Sequence, residues 1–174
     1  VAGDVRTMFG NLLFTARPAS KVDVTARYRI YDYDNDSDEI LFTQTSVSDA
    51  SLVAQTVQST APSFTTQGAL IEGSYRFSSA LKGTLGLSWD RWDRGREREV
   101  RVTNEFSPEV AVDYRADDWG RFRTSYAYGW RSADHYDELA PFRILEPTVP
   151  ATPLAVPIRK YTMADNERQV LHLL

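Results

Sequence analysis

The stretch EVAVDYRADDWGRFRTSYAYGWR, residues 109–131, constrains the fold more than any other part of the chain. Val110, Val112 and Tyr114 alternate with Glu109, Ala111, Asp113 and Arg115. Ala116, Asp117 and Asp118 are turn-forming residues. Beyond them Phe122, Thr124, Tyr126, Tyr128 and Trp130 alternate with Arg121, Arg123, Ser125, Ala127, Gly129 and Arg131. Successive residues of a strand point to opposite faces, so this pattern predicts an antiparallel hairpin. One of its faces is apolar and aromatic, and the other is small, polar and charged.

The rest of the chain repeats the unit. Residues 5–17 put Met8, Leu12, Phe14 and Ala16 on one face. In residues 21–33, Val22, Val24, Ala26, Tyr28 and Ile30 oppose Asp23, Thr25, Arg27 and Arg29. Further strands are predicted at 68–77 and 82–92, at 110–115 with a start as early as Val100, up to Arg131, and again from Gln169. Two short strands fit at 40–45 and 51–57 within a polar segment. Short turns fall near 18–20, 78–81 and 116–119. Long loops fall at 34–67, 93–99 and 132–165.

This strict alternation of short and long connections is that of bacterial outer-membrane barrels, with short periplasmic turns and longer external loops. The strands run ~10–13 residues, against about 5–6 in soluble domains and ~9–11 for a tilted membrane strand. The predicted fold is all-β, an antiparallel up-and-down transmembrane β-barrel, with residues 1–174 forming about six to seven strands of it. A sheet in lipid must close on itself. So few strands predict one segment of a larger barrel, which does not fold alone because its edges are unpaired.

Aromatic residues cluster at both ends of the strands. Phe14, Phe77, Tyr114 and Phe122 lie near the short turns, and Tyr31, Tyr33, Trp89, Tyr128 and Trp130 near the long loops. Two such groups predict the aromatic girdles of a membrane barrel. A soluble β-sandwich also alternates, but strand length, turn asymmetry and paired girdles favour the membrane.

The polar face carries the functional candidates, foremost Arg27, Arg29, Arg76, Arg115, Arg121 and Arg123. A small barrel fills its interior with side chains and could bury this much charge only with extensive pairing. The lumen is therefore predicted to be wide, holding water or the polar surface of another protein. A net charge of −4 and the lack of a basic run argue against nucleic acid. With no cysteine, the chain has no disulfide, no thiolate zinc site and no C-x-x-C-H haem attachment. No nucleophile elbow, phosphate-binding Gly-rich loop or catalytic carboxylate pair is evident, so no enzyme is expected. Asp32, Asp34, Asp36 and Asp38 form an oxygen-rich run of the kind calcium favours. Ser37 stands where an EF-hand needs glycine and Thr43 where it needs glutamate, so a solvated loop is preferred over a metal site. His135 and His172 are isolated. The charged connection DRGRERE, residues 93–99, is expected to be a salt-bridged loop base.

Four segments carry a family resemblance. RKYTMADNERQVL, residues 159–171, resembles the recurring RKYDLADRDRD signature of the MtrB/PioB family, decahaem-associated outer-membrane proteins. Here Thr162 stands in place of Asp and Asn166 in place of a basic residue. YDYDNDSDEI, residues 31–40, resembles the family's strand exit. WDRWDRGREREV, residues 89–100, resembles its strand–loop–strand segment, and DYRADDWGRFRTSYAYGWRSADHYD, residues 113–137, its hairpin. All four occur in family order. The resemblance implies a barrel that sheathes a periplasmic multihaem c-type cytochrome. Electrons would then cross the membrane to or from extracellular metals or an extracellular multihaem cytochrome. The haem would belong to the partner, and this chain would bind no cofactor itself. The competing function is a general or specific diffusion porin, with a water-filled lumen.

Overall fold

The structure is a computed structural model that describes residues 3–48, 51–59, 61–95, 98–116, 120–137, 140 and 165–173. It consists of nine strands among these residues: β1 (Val5–Ala19), β2 (Val22–Asn35), β3 (Leu41–Ser48), β4 (Ser51–Gln58), β5 (Phe64–Arg76), β6 (Leu81–Arg94), β7 (Val102–Ala116), β8 (Gly120–Ala133) and β9 (Asn166–Leu173). Seven of them form one antiparallel sheet in the order β1-β2-β5-β6-β7-β8-β9. β3 and β4 pair only with each other, as a hairpin inserted between β2 and β5. The large sheet is thus a meander in which every neighbour is the next long strand in sequence. It is open, with β1 and β9 at its edges.

The turns follow from local chemistry. Pro18 has no N–H to give to the ladder, and the β1–β2 register shifts between Ala16 and Ala19 around it. At the β5–β6 turn the Ser78 hydroxyl oxygen accepts hydrogen bonds from the backbone N–H of Ala80 and of Leu81. Residues 117–119, the heart of the third predicted turn, lie outside the described residues, as do 141–164 of the proline-rich loop. β5 starts at Phe64, earlier than the predicted Gly68, because its polar opening Thr65-Thr66-Gln67 pairs fully with β6. β7 runs unbroken through Pro108. Ser107 and Pro108 have no register partner on β8, so the missing N–H falls where the ladder is already open.

The register sorts the side chains onto two faces. Across the sheet, Leu12, Tyr28 and Ala69 pair in one row, and Ile71, Leu87 and Pro108 in another. Leu85, Val110, Tyr126 and Leu171 form a third. Among the described residues no second layer covers this apolar face. Leu12 is 72% exposed, Leu85 68% and Leu171 65%, and the buried hydrophobic residues number only Val100, Ala111, Ala116 and Ala140 among those described. Each such side chain left in water forgoes ~1.5–3 kcal/mol of burial. Over the whole face that loss exceeds the ~5–15 kcal/mol net stability of an ordinary domain. The face must be covered, and among the described residues no second sheet packs on it. A lipid exterior meets the requirement.

β1 departs from the pattern. Phe9 and Leu13 put apolar groups on its other face, 69% and 58% exposed.

Candidate functional site

The polar face is built in bands between the two ends of the strands. At the short-turn end Asp23 of β2 is held by Arg17 Nε at 2.7 Å and by Arg76 Nη2 at 2.8 Å. Arg123 Nη1 lies 3.6 Å from Asp113 Oδ1 on the neighbouring strand. A cleft of about 430 Å³ opens here between Arg76, Lys82, Asp113, Arg115, Arg121 and Arg123. The next band is small and lies flush beneath its long neighbours, with Ser74, Thr84, Ala111 and Ser125 all buried.

Further along, Arg29 of β2 reaches across β5 to Asp90 of β6, with Nη2 to Oδ1 at 2.8 Å. Gly68 is the register partner of both. A Cβ there would stand 2.6 Å from Arg29 Nε and 3.0 Å from Asp90 Oδ1, so the glycine leaves the gap through which the pair passes. Glu105 of β7 collects two arginines: Arg131 at 2.6 Å and Arg168 of β9 at 3.1 Å. Most of these pairs are well exposed, and exposed pairs contribute only ~0.2–1 kcal/mol each. Their effect lies in the charge pattern of the wall more than in folding energy.

At the long-loop end the same face turns aromatic. Tyr33 stacks on Phe64 at 5.3 Å between centroids, Phe64 on Trp92 at 5.8 Å, and Tyr31 lies 5.9 Å from Phe64. The Arg94 guanidinium sits 5.1 Å above the Trp92 ring, while its Nη1 donates to Thr103 Oγ1 at 3.1 Å. This corrects the expectation that Tyr31 and Tyr33 join the outer girdle. They share parity with Arg27 and Arg29 and therefore lie on the polar face. Phe64 and Trp92 were not anticipated as their partners, and continuing the alternation of Arg29 and Asp90 by two and four residues would have found all but Phe64.

The other predicted girdle residues lie on the apolar face. Trp89, Phe106, Trp130 and Tyr128 form a chain of ring contacts at 5.8–6.5 Å near the long loops. Near the short turns Tyr114 pairs with Phe122, and Phe77 meets Tyr75 edge-on at 4.9 Å. The Phe77 ring lies over Gly83, where a Cβ would be 2.9 Å from it. Phe14 pairs with Ala26 at the far side of the sheet.

The four aspartates of the oxygen-rich run 32–38 do not come together as a metal site among the described residues. Asp32 accepts a hydrogen bond from Thr65 Oγ1, and Asp34 accepts one from Ser63 Oγ at 3.3 Å. Among the described residues no three histidine or acidic side chains come together as metal ligands. In the charged connection, Asp93 lies 3.6 Å from Arg91 and 3.4 Å from Arg101; Arg96 and Glu97 lie outside the described residues. His172 pairs with Ser125 across the β8–β9 ladder.

A single-layered antiparallel meander with an uncovered apolar face, and a charged face behind it, is the wall of an outer-membrane β-barrel. The chain belongs to the MtrB/PioB family: the model of that family, described as an outer membrane beta-barrel porin, matches residues 1–174, the whole chain. Its place is the bacterial outer membrane, and its class is porin-like, which is not a class of enzymes. No curated protein matches the chain.

Proposed function

We propose that the barrel to which this chain contributes sheathes a periplasmic multihaem c-type cytochrome and so carries electrons across the outer membrane. One observation carries the reading: the face opposite the apolar one is lined by cross-strand ion pairs. Barrels of about eight strands fill with their own side chains, and a bore holds something more only when the strand number rises well above that. A wall of cross-strand ion pairs suits a wider lumen in contact with a polar protein surface. Membership of the MtrB/PioB family agrees with this role. Haem would come with the partner, because the chain has no cysteine to attach it. The wall's task is insulation and positioning. No chemical step is assigned to it.

The test is the visible spectrum of the full-length barrel, extracted from outer membranes of a host that is making its cytochromes. A Soret band that stays with the barrel through size-exclusion chromatography is the expected result. A folded, colourless barrel that conducts ions in a planar bilayer would overturn the sheath and leave the diffusion porin.

A further inference from the structure

The short-turn end of the polar face is electrostatically unlike the rest. In the upper part of the wall Arg29, Arg131 and Arg168 each face an acid. Around the cleft, among the described residues, five cations, Arg76, Lys82, Arg115, Arg121 and Arg123, share the single acid Asp113, with Asp23 behind Arg76; Asp117 and Asp118 of the adjoining turn lie outside the described residues. Among the described residues Lys82, Arg115 and Arg121 take part in no ion pair. Two like-charged pairs are set directly opposite each other on adjacent strands: Arg76 against Lys82, and Arg115 against Arg121. Such pairs weaken a sheet, and the chain as a whole is acidic, at −4.

We propose that this rim is a collar that recognises carboxylates and seats an acidic surface of the soluble protein that enters the lumen from the periplasmic side. The inference rests on the sheath reading above and identifies where and by what charge the partner is held. Three arguments select this occupant. The five cations share the face opposite the lipid-covered one, so their ligand arrives from the lumen. Short turns of an outer-membrane barrel face the periplasm, so the rim is the first surface a periplasmic protein meets. Four of the five cations are guanidiniums, and the planar guanidinium fork matches a carboxylate in two simultaneous hydrogen bonds. Ser78 and Ser79 line the same cleft. An acidic protein surface would relieve the repulsion within both like-charged pairs at once.

The test uses the full-length barrel and the double variant Arg115→Gln, Arg121→Gln, with heat-modifiable migration as the check that each is folded. In the first arm the Soret-absorbing partner is eluted from immobilised barrel by rising salt. The variant is expected to release it at clearly lower ionic strength, since screening acts on a contact already weakened. In the second arm barrel stripped of partner is titrated with a polyglutamate peptide, and the variant is expected to bind about tenfold more weakly. A third reading separates function from structure. Without partner, the variant should unfold at a higher urea concentration than the wild type, because a repulsive pair has gone. A lower midpoint would make the arginines structural and overturn the collar. Unchanged salt elution and unchanged peptide affinity would also overturn it, while a coloured wild-type barrel would leave the sheath standing. A colourless wild-type barrel that still binds polyglutamate through Arg115 and Arg121 would remove the sheath and keep the collar for another acidic protein. If the substitutions abolish binding of phosphatidylglycerol in mixed micelles but not of the peptide, the rim serves lipid headgroups and the proposal fails.

Discussion

Glu105 is the acid on which the inner wall's charge pattern most depends. Its side chain is 21% exposed and holds both Arg131, at 28%, and Arg168. Asp90 and Arg29 form a pair of similar length but stand 43% and 62% exposed. Solvent screens the second pair more than the first, so the two acids should differ in worth although their distances do not. Glu105→Gln is predicted to lower barrel stability by about 1–2 kcal/mol, because it removes the charge of the shielded carboxylate that Arg131 and Arg168 share. Asp90→Asn should lower it by less than about 1 kcal/mol. Urea unfolding of the two variants in vesicles checks the ranking, and equal losses would show that exposure does not govern the wall. Alternation along the strands assigns each side chain to a face, and for Arg27, Arg29, Arg121 and Arg123 no more is needed. It says nothing about which charges meet. Glu105 was not singled out in the sequence because its strand had no certain start, and its partner Arg168 arrives from a strand 63 residues away.

At the scale of elements, period-two patterning marks the long strands where they cross the lipid, and fails where they leave it. The β5 opening, Phe64-Thr65-Thr66-Gln67, resembles a loop in sequence because its polar residues do not alternate with apolar ones. It is nevertheless a strand, held by β2 on one side and β6 on the other. Pro108 hides the start of β7 for a different reason, since proline normally argues against an inner strand. The structure tolerates it because the β7–β8 register is open at that point. The hairpin β3–β4 is the opposite case. Its two strands were legible as short strands, yet it gains no ladder from the main sheet. A lone two-stranded hairpin is marginally stable in water. Replacing residues 41–58 by a short Gly/Ser linker is therefore predicted to leave barrel assembly unchanged, within about 0.5 kcal/mol of stability. In intact cells this segment should be among the first cut by added protease. Loss of heat-modifiable barrel on deletion would show that the hairpin supports the wall after all.

For the molecule as a whole, the decisive property is which face meets lipid, and it can be tested with residues three positions apart. Leu85 lies on the apolar face, midway along β6 between Leu81 and Trp89, and is 68% exposed. Ser88 points to the opposite face, where it shares a small cleft with Arg27, Arg29 and Asp90. In a soluble sheet both positions would accept arginine on an exposed surface with little loss, usually within about 0.5 kcal/mol. In a membrane barrel they are not equivalent. Arginine near the bilayer midplane costs ~2–4 kcal/mol, whereas substitutions facing the lumen alter selectivity or partner contact and leave insertion intact. Leu85→Arg is predicted to reduce folding of the full-length barrel into vesicles by that margin, and Ser88→Arg to leave it unchanged. Moving the arginine to position 89, at the girdle, should cost less than at 85, because the side chain can extend to the interface. That dependence on depth is the part a soluble sheet cannot imitate. If arginine at 85, 88 and 89 gave the same yield of folded barrel, position 85 would face water and not lipid. The charged face would then lose its claim to be a lumen.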